Sequence, residues 1–256
     1  MAFLHCPHAG HVRVCTWNIQ LGFRIDAVVE AVADHPDFEN LDLVCLQEAS
    51  IHRGRQDAAV VAEAMGPGYA HFQATAQLRR GREQANALIW RRNDFKPAEP
   101  QIVSLVNPVP AKMPRAERML LRALAPQQRI AIRAESPAMR VYVVHLDMVG
   151  FTHKIEQLRA VITDDEARPR VPLTLVAGDL NTFGPPGLQL WRKLAATAAA
   201  AGLVDITREV AHTHWTAQKL DAIFVRAAAY TSRVWTIDIR ASDHLPVFAD
   251  IESAGG

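Results

Sequence analysis

Short apolar runs recur along this chain, and the segments between them place their apolar residues on one helical face. Val12–Trp17 reads as a strand. Ile25, Val28, Val29 and Val32 then fall at i, i+3, i+4 and i+7, one face of a helix. Leu41–Leu46, bounded by Asn40 and by Gln47 and Glu48, suits a strand buried on both faces. Gln56–Met65 is helix-like and stops at Gly66-Pro67-Gly68. Ala87–Trp90, Arg129–Arg133, Val141–Leu146, Leu173–Ala177, Asp221–Val225, Val234–Ile239 and Val247–Ile251 again read as strands. Ile155, Leu158 and Ile162 share one helical face; Trp191, Leu194, Ala195 and Ala198 share another, ended by Gly202. Strands alternating with helices imply at least one mixed sheet with helices outside it. Pro97–Pro114, richer in proline and polar residues, reads as a surface excursion, and the tail Ser253–Gly256 is expected to fray.

At 256 residues the chain is long enough for one large α/β domain with a full core, and it is read as a single domain over 1–256. Lys and Arg number 28 against 27 Asp and Glu, so the net charge is +1. That balance argues against attachment to nucleic acid or membrane by bulk charge, though not against a local basic track. The three cysteines show no CxxC spacing. Cys15 and Cys45 lie in strand-like runs, where a thiol acts as a small hydrophobe and a reducing compartment suits it. The first residues lack a basic segment followed by an apolar stretch, and no apolar run reaches membrane-spanning length. A cytoplasmic location and a monomer are the expectation.

Polar residues stand at the ends of the apolar runs. Asn18 follows the first strand and Glu48 the second; His145 ends Val141–Val144; Gly178-Asp179-Leu180-Asn181 follows Leu173–Ala177. Asp221 opens a strand, and Ser242-Asp243-His244 precedes the last one. Ligand sites in α/β folds collect outside strand ends, so these groups are placed to converge. They supply carboxylate and amide oxygens for a hard cation together with two imidazoles. That mixture suits Mg²⁺ or Mn²⁺ and phosphate chemistry.

Each residue also has a plainer reading. Glu48 is either a loop carboxylate or a metal ligand; Asn18 is either a turn residue or an oxygen donor. A Gly-Asp pair after a strand is usually a turn, but Asn181 two residues on points an amide to the same side as Asp179. His244 reads as a surface histidine or as one oriented by a carboxylate. The cluster His5, Cys6, His8 and His11 is read as an ordinary tail rather than a metal site. His212, His214 and Trp215 either line a substrate floor or anchor a packed loop.

The ordered set Thr16–Asn18 (TWN), Leu46–Glu48 (LQE), Val143–Leu146 (VVHL), Gly178–Asn181 (GDLN), Lys219–Val225 (KLDAIFV) and Ser242–Val247 (SDHLPV) resembles the endonuclease/exonuclease/phosphatase superfamily, the deoxyribonuclease I-like fold. The likeness spans residues 14 to 248 and leaves 1–11 and 253–256 as tails. It implies an α/β four-layer sandwich of two packed mixed sheets flanked by helices, and divalent-metal-dependent hydrolysis of a phosphate ester. By this resemblance Glu48 is the principal metal ligand, assisted by Asn18 and Asp243. Asp179 orients or deprotonates the attacking water, and Asn181 contacts metal or phosphate oxygen. His244, paired with Asp221, stabilises the transition state or acts as base. His145 contacts the scissile phosphate and protonates the leaving oxygen, with Glu83, Gln84 or Asn86 in the neighbourhood of its partner. Arg118 resembles a phosphate-facing arginine, a solvated arginine being an equal reading. Asn86, Trp215 and Arg118 complete the expected substrate contacts.

Arg53 and Arg55, Arg79, Arg80 and Arg82, and Lys112, Arg115 and Arg118 gather in loop-like segments. They form either a cationic rim suited to a nucleic-acid backbone or ordinary solvated arginines. The first expectation is therefore a nuclease acting on DNA or RNA. The alternative is a phosphatase or phosphodiesterase on a small or lipid-like phosphate of the inositol phosphate or sphingomyelin class, and a binding scaffold is the third. Aromatics are only 7% and no exposed aromatic hairpin is legible, which argues against a membrane-engaging branch.

Overall fold

The computed structural model describes residues 10–253 except 108, 110–113, 124–126 and 185–186. His5, Cys6, His8, Lys112 and the tail after Ser253 lie outside the described residues. In chain order the strands and helices are β1 His11–Asn18, α1 Ile25–Asp34, β2 Leu43–Ala49, β3 Ile51–His52, β4 Arg55–Gln56, α2 Asp57–Met65, β5 Tyr69–Arg79, β6 Arg82–Arg91 and β7 Gln101–Ser104. There follow α3 Arg115–Ala123, β8 Ile130–Glu135, β9 Met139–His145, α4 Phe151–Glu166, β10 Leu173–Asp179, α5 Gly187–Ala200, β11 Val204–Asp205, β12 Asp221–Arg226, β13 Tyr230–Thr236 and β14 Val247–Ser253.

Two six-stranded mixed sheets result, in the orders β13-β14-β1-β2-β6-β5 and β11-β12-β10-β9-β8-β7, while β3 and β4 form a separate small ribbon. Each large sheet contains one parallel pair, β1 with β2 and β9 with β10. Each parallel pair is joined by a crossover helix, α1 or α4, because parallel neighbours cannot be linked by a tight turn. The apolar residues sort accordingly into three layers. Val14, Leu43, Cys45, Ile132, Val143 and Leu175, with Val247, Ala249 and Ile251 of β14, fill the space between the sheets. Trp17, Val28, Val32, Leu46 and Val61 pack α1 and α2 on one outer face. Tyr142, Val144, Leu158, Val176, Leu194 and Phe224 pack α4 and α5 on the other. The four-layer sandwich expected from the sequence is the observed architecture.

Several expectations change in detail. Ser253 does not fray: it ends β14, pairs with Tyr230, and its amide donates to Gly10 O. The strand expected at Val234–Ile239 comes earlier, at Tyr230–Thr236, and Ile237 and Ile239 instead pack on the helix-covered side of the first sheet. The Pro97–Pro114 excursion contains the edge strand β7. Cys15 and Cys45 are free and buried, as a small-hydrophobe role requires, and burial pushes the Cys45 thiol up to about 12. No helix among the described residues is long and apolar enough to cross a membrane.

Helix α4 is fastened to the second sheet by charge as well as by its apolar face. Asp165, 1% exposed, accepts from Arg140 at 2.7 Å and pairs with Arg226 at 2.6 Å. Burial works against its ionised form, but the bonds from Arg226 and Arg140 outweigh it and hold the carboxyl below its ordinary value. Asp165→Asn leaves both guanidinium groups undercompensated and is expected to cost about 3–5 kcal/mol at neutral pH in urea unfolding. Because the folded carboxyl titrates below the unfolded one, that cost is full above about pH 4 and shrinks as pH falls below it. A cost independent of pH contradicts this assignment.

Candidate active site

The parallel pairs run in one sense within each sheet, so their carboxyl ends deliver side chains to one end of the sandwich. Asn18 ends β1, Glu48 lies at the end of β2, His145 ends β9 and Asp179 ends β10. Register sets the next neighbour: Asp179 lies opposite His145 on β9 and opposite Asp221 on β12. A charged row is thus fixed by backbone pairing before any side chain is chosen. Close apposition needs Gly178, whose φ is +152° and whose place offers no room for a Cβ, since one would sit 1.8 Å from Val144 O.

Asp179 is 1% exposed. Its Oδ1 accepts from Asn181 N at 2.7 Å and its Oδ2 from Asn18 Nδ2 at 3.0 Å. His145 Nε2 and His244 Nε2 stand 3.5 and 3.8 Å from Oδ2, beyond good hydrogen-bond length. Burial pushes the Asp179 carboxyl up to about 6; the His244 charge and the two bonds restrain the rise, while Asp221 adds to it. Asn181, at φ +53°, also donates through Nδ2 to Leu146 O at 2.8 Å, and buried Lys154 of α4 donates to its carbonyl. Burial lowers the Lys154 ammonium to about 8.

The two histidines differ in charge because their partners differ. His244 Nδ1 lies 2.8 Å from Asp221 Oδ2, and Asp221 is itself held by Thr213 Oγ1 at 2.6 Å. Burial alone lowers the His244 value, but the charges of Asp221 and Asp179 and the Asp221 bond override it and raise it to about 10. His145 Nδ1 lies 2.9 Å from Arg129 Nη1. A guanidinium has donors only, so Nδ1 accepts and the proton of the ring sits on Nε2. Burial and then the Arg129 charge hold His145 well below the ordinary imidazole value. The sequence expectation of a carboxylate or amide partner from Glu83, Gln84 or Asn86 is corrected: the partner is Arg129. A neutral imidazole of this tautomer suits hydrogen-bond donation from Nε2 rather than the proton transfer to a leaving oxygen expected from the sequence.

Glu48 sits at a break in the β2–β6 register between Leu46 and Ala49, with φ +53°, a conformation that costs a non-glycine residue of order 1–3 kcal/mol. The bulge turns its side chain into the cleft. There Oε1 accepts from Gln84 Nε2 at 2.8 Å and faces Arg79 Nη1 at 3.5 Å and His145 Nε2 at 4.0 Å. Asp243, half-buried, accepts from Gln20 Nε2 at 2.9 Å and lies 3.9 Å from His214 Nε2. Burial opposes its ionisation, yet the His214 contact and the His244 charge leave its carboxyl below the ordinary value. His214 packs edge-on against His244 with ring centres 4.8 Å apart, and its Nδ1 lies 2.7 Å from Thr216 Oγ1. Beside it Trp215 is 72% exposed, while His212 is exposed without a place in this cluster.

One sequence-nominated residue is engaged elsewhere. Asn86, 3% exposed, donates its amide to the main-chain carbonyls of Ile130 at 2.8 Å and Val143 at 3.4 Å. It braces one sheet against the other and is withdrawn from substrate contact, which corrects the expected role. Arg118 is half-buried on α3, and Arg129 and Arg79 reach the site. Arg129 carried no signal beyond standing at the head of a strand; Arg79 was legible only as part of a basic cluster.

The donor set fits a hard divalent cation. Glu48, Asp179, Asp243, Asn18 and Asn181 offer carboxylate and amide oxygens, and no cysteine among the described residues joins them. The raised Asp179 carboxyl marks negative charge that the surrounding protein leaves partly uncompensated. Among the described residues the tightest carboxylate–imidazole groupings are His214, Asp243 and His244, and Asp179, Asp221 and His244.

A family model described as Endonuclease/Exonuclease/phosphatase family matches residues 15–244. No curated protein matches. Among solved structures, an endonuclease/exonuclease/phosphatase from Beutenbergia cavernae is 20% identical, with TM-score 0.68, covering 96% of this chain and 72% of that one. The human Nocturnin catalytic domain with bound sulfate anion is 17% identical, with TM-score 0.68 and 95% of each chain covered. The D. rerio TDP2 complexed with single strand DNA product is 16% identical, with TM-score 0.62, covering 94% of this chain and 98% of that one. At these identities the likeness carries the fold.

Gly178→Ala tests the backbone approach that sets the charged row. The expected outcome is a loss of about 3–5 kcal/mol in thermal or urea unfolding, since both the φ and the Cβ contact are unfavourable. An unchanged melting temperature contradicts the apposition of β9 and β10 described here.

Proposed function

Because the chain belongs to the endonuclease/exonuclease/phosphatase family, whose members are phosphoesterase hydrolases, we propose that it is a divalent-cation-dependent phosphoesterase that hydrolyses nucleic-acid phosphodiester bonds. The observation that carries this reading is the buried Asp179 carboxylate flanked by His145 Nε2 at 3.5 Å and His244 Nε2 at 3.8 Å, the first ring held by Arg129 and the second by Asp221. The motifs of residues 14–248 draw on both sheets, which supports reading 1–256 as one catalytic domain.

The chemistry follows from the charge states of Asp179 and the two histidines. Above about pH 6 Asp179 is ionised, and Oδ2 keeps electron density for a proton of the attacking water. His244, with a value near 10, stays protonated at neutral pH and so acts as a fixed positive charge rather than as the base. That charge faces the oxygens on which negative charge grows as water attacks phosphorus. Asp221 keeps the imidazolium oriented through Nδ1. His145 donates from Nε2 to a phosphate oxygen, its ring held by Arg129. Asn181 adds an amide next to the same oxygens, and Lys154 steadies the Asn181 backbone from below. Glu48, with Asn18 and Asp243, would hold Mg²⁺ or Mn²⁺, which when bound supplies positive charge to a non-bridging phosphate oxygen.

Nucleic acid is favoured as substrate by the arginines near the cleft and by exposed Trp215 beside His214, a surface on which a base can stack. The TDP2 relative of similar fold holds a DNA product, which supports the same substrate class.

Purified protein incubated with supercoiled plasmid and Mg²⁺ or Mn²⁺ is expected to nick it and to lose that activity in chelator. Asp179→Asn and His244→Gln are each expected to lower kcat by about 10²–10⁴ while the melting curve stays cooperative. Phosphate release from inositol phosphates or other monoesters, with plasmid and RNA untouched, overturns the nucleic-acid assignment. Turnover undiminished in Asp179→Asn overturns the mechanism.

A further inference from the structure

The hairpin joining β5 to β6 ends beside Glu48, and its construction is unlike that of a free loop. Arg79 and Arg82 pair across it, and Arg80 and Gly81 form the turn with φ of +51° and +74°. Arg82 reaches back to Leu21 O at 3.0 Å and lies 4.9 Å over the Phe23 ring. On the other side Gln77 accepts from Gln128 N at 2.9 Å and bonds Gln84, which in turn donates to Glu48. The hairpin is therefore braced against the loop after β1 and against the segment before β8. Arg79, at the end of β5, is delivered into the cleft by a fixed support, yet its side chain remains 28% exposed.

Its guanidinium has one anionic neighbour, Glu48, at 3.5 Å, among the ion pairs of the described residues. Its charge also bears unfavourably on Arg129 and on His145, so those two neighbours oppose a deeper position for it. A divalent cation held by Glu48 adds two more positive charges at the one carboxylate that retains Arg79. Two cations at that spacing compete for one carboxylate. The displaced guanidinium, tethered by the braced hairpin, keeps to the cleft mouth, where an incoming anion can compensate its charge. A guanidinium fork fits the paired oxygens of a phosphate.

We propose that Arg79 is a substrate-binding residue that is paired with Glu48 in the cation-free protein, competes with the divalent cation for that carboxylate, and transfers to a backbone phosphate of the substrate. This rests on the phosphoesterase reading above for the identity of the anion, but not for the competition. The residue thus links cation loading to phosphate binding: the cation frees the arginine that the polyanion needs.

The test uses the full chain as wild type, Arg79→Met and Arg79→Lys. Isothermal titration with MnCl₂ alone is expected to give a roughly tenfold tighter cation affinity in Arg79→Met and near wild-type affinity in Arg79→Lys, within the usual range of coupling between sites. Binding of a short fluorescein-labelled DNA strand in CaCl₂ is expected to weaken in Arg79→Met by roughly tenfold, with its salt dependence reduced by about one phosphate contact. Arg79→Lys separates loss of charge from loss of fold, and melting curves of both variants check the fold directly. If wild type binds Mn²⁺ and Arg79→Met binds it no more tightly, the competition is overturned while the phosphoesterase reading stands. If tighter Mn²⁺ binding comes with unchanged DNA affinity, the transfer to phosphate is overturned. If wild type binds no divalent cation, the phosphoesterase reading itself falls.

Discussion

A carboxylate that has lost its water organises this structure. Asp179 is placed by β10 between two sheets and beside another charged position, Asp221, and burial of an isolated ionised group is among the largest penalties a fold meets. The surroundings meet that penalty with two hydrogen bonds, from the Asn18 amide of β1 and from the Asn181 main-chain N–H, and with the charge of His244 from the segment before β14. Asn18 and His244 reach Asp179 only because the two sheets stack as they do. Fold and site are thus one arrangement, and the apolar layer between the sheets is what holds the donors to it.

The same carboxylate sees two histidines in different states. One leans on Asp221 and is cationic; the other accepts a bond from Arg129 and is neutral. The difference comes from partners on the far side of each ring, away from Asp179. A single buried anion can then face a fixed positive charge and a fixed hydrogen-bond donor at once. This division of labour separates the base from the charge that stabilises the developing oxyanion, which a pair of equivalent histidines cannot do.

Much of this was legible in the chain. Apolar runs ending in Asn18, Glu48, His145 and Asp179 announced a ligand end, because parallel strands with crossover helices leave their carboxyl ends open. Asp221 and His244 were legible as a pair through their motifs. What escaped has a common cause: it depends on partners rather than on pattern. Strand β5 alternates apolar and polar residues only loosely and is held by its long pairing with β6, so local periodicity gave little sign of it. Arg129 stands at the head of β8 like any boundary arginine, and only the register of β8 against β9 carries it beneath His145. Asn86 looked like a site residue because it precedes a strand; it lies inside β6 and commits its amide to the space between the sheets. Glu48 was found as a residue, but its left-handed backbone and the bulge that aims it are tertiary facts.

The protonation of the two imidazoles is the central claim, and long-range nitrogen–proton NMR of the histidine rings at neutral pH reads it directly. The account requires His244 with protons on both ring nitrogens and His145 with a single proton on Nε2. A charged His145, or a neutral His244, contradicts it.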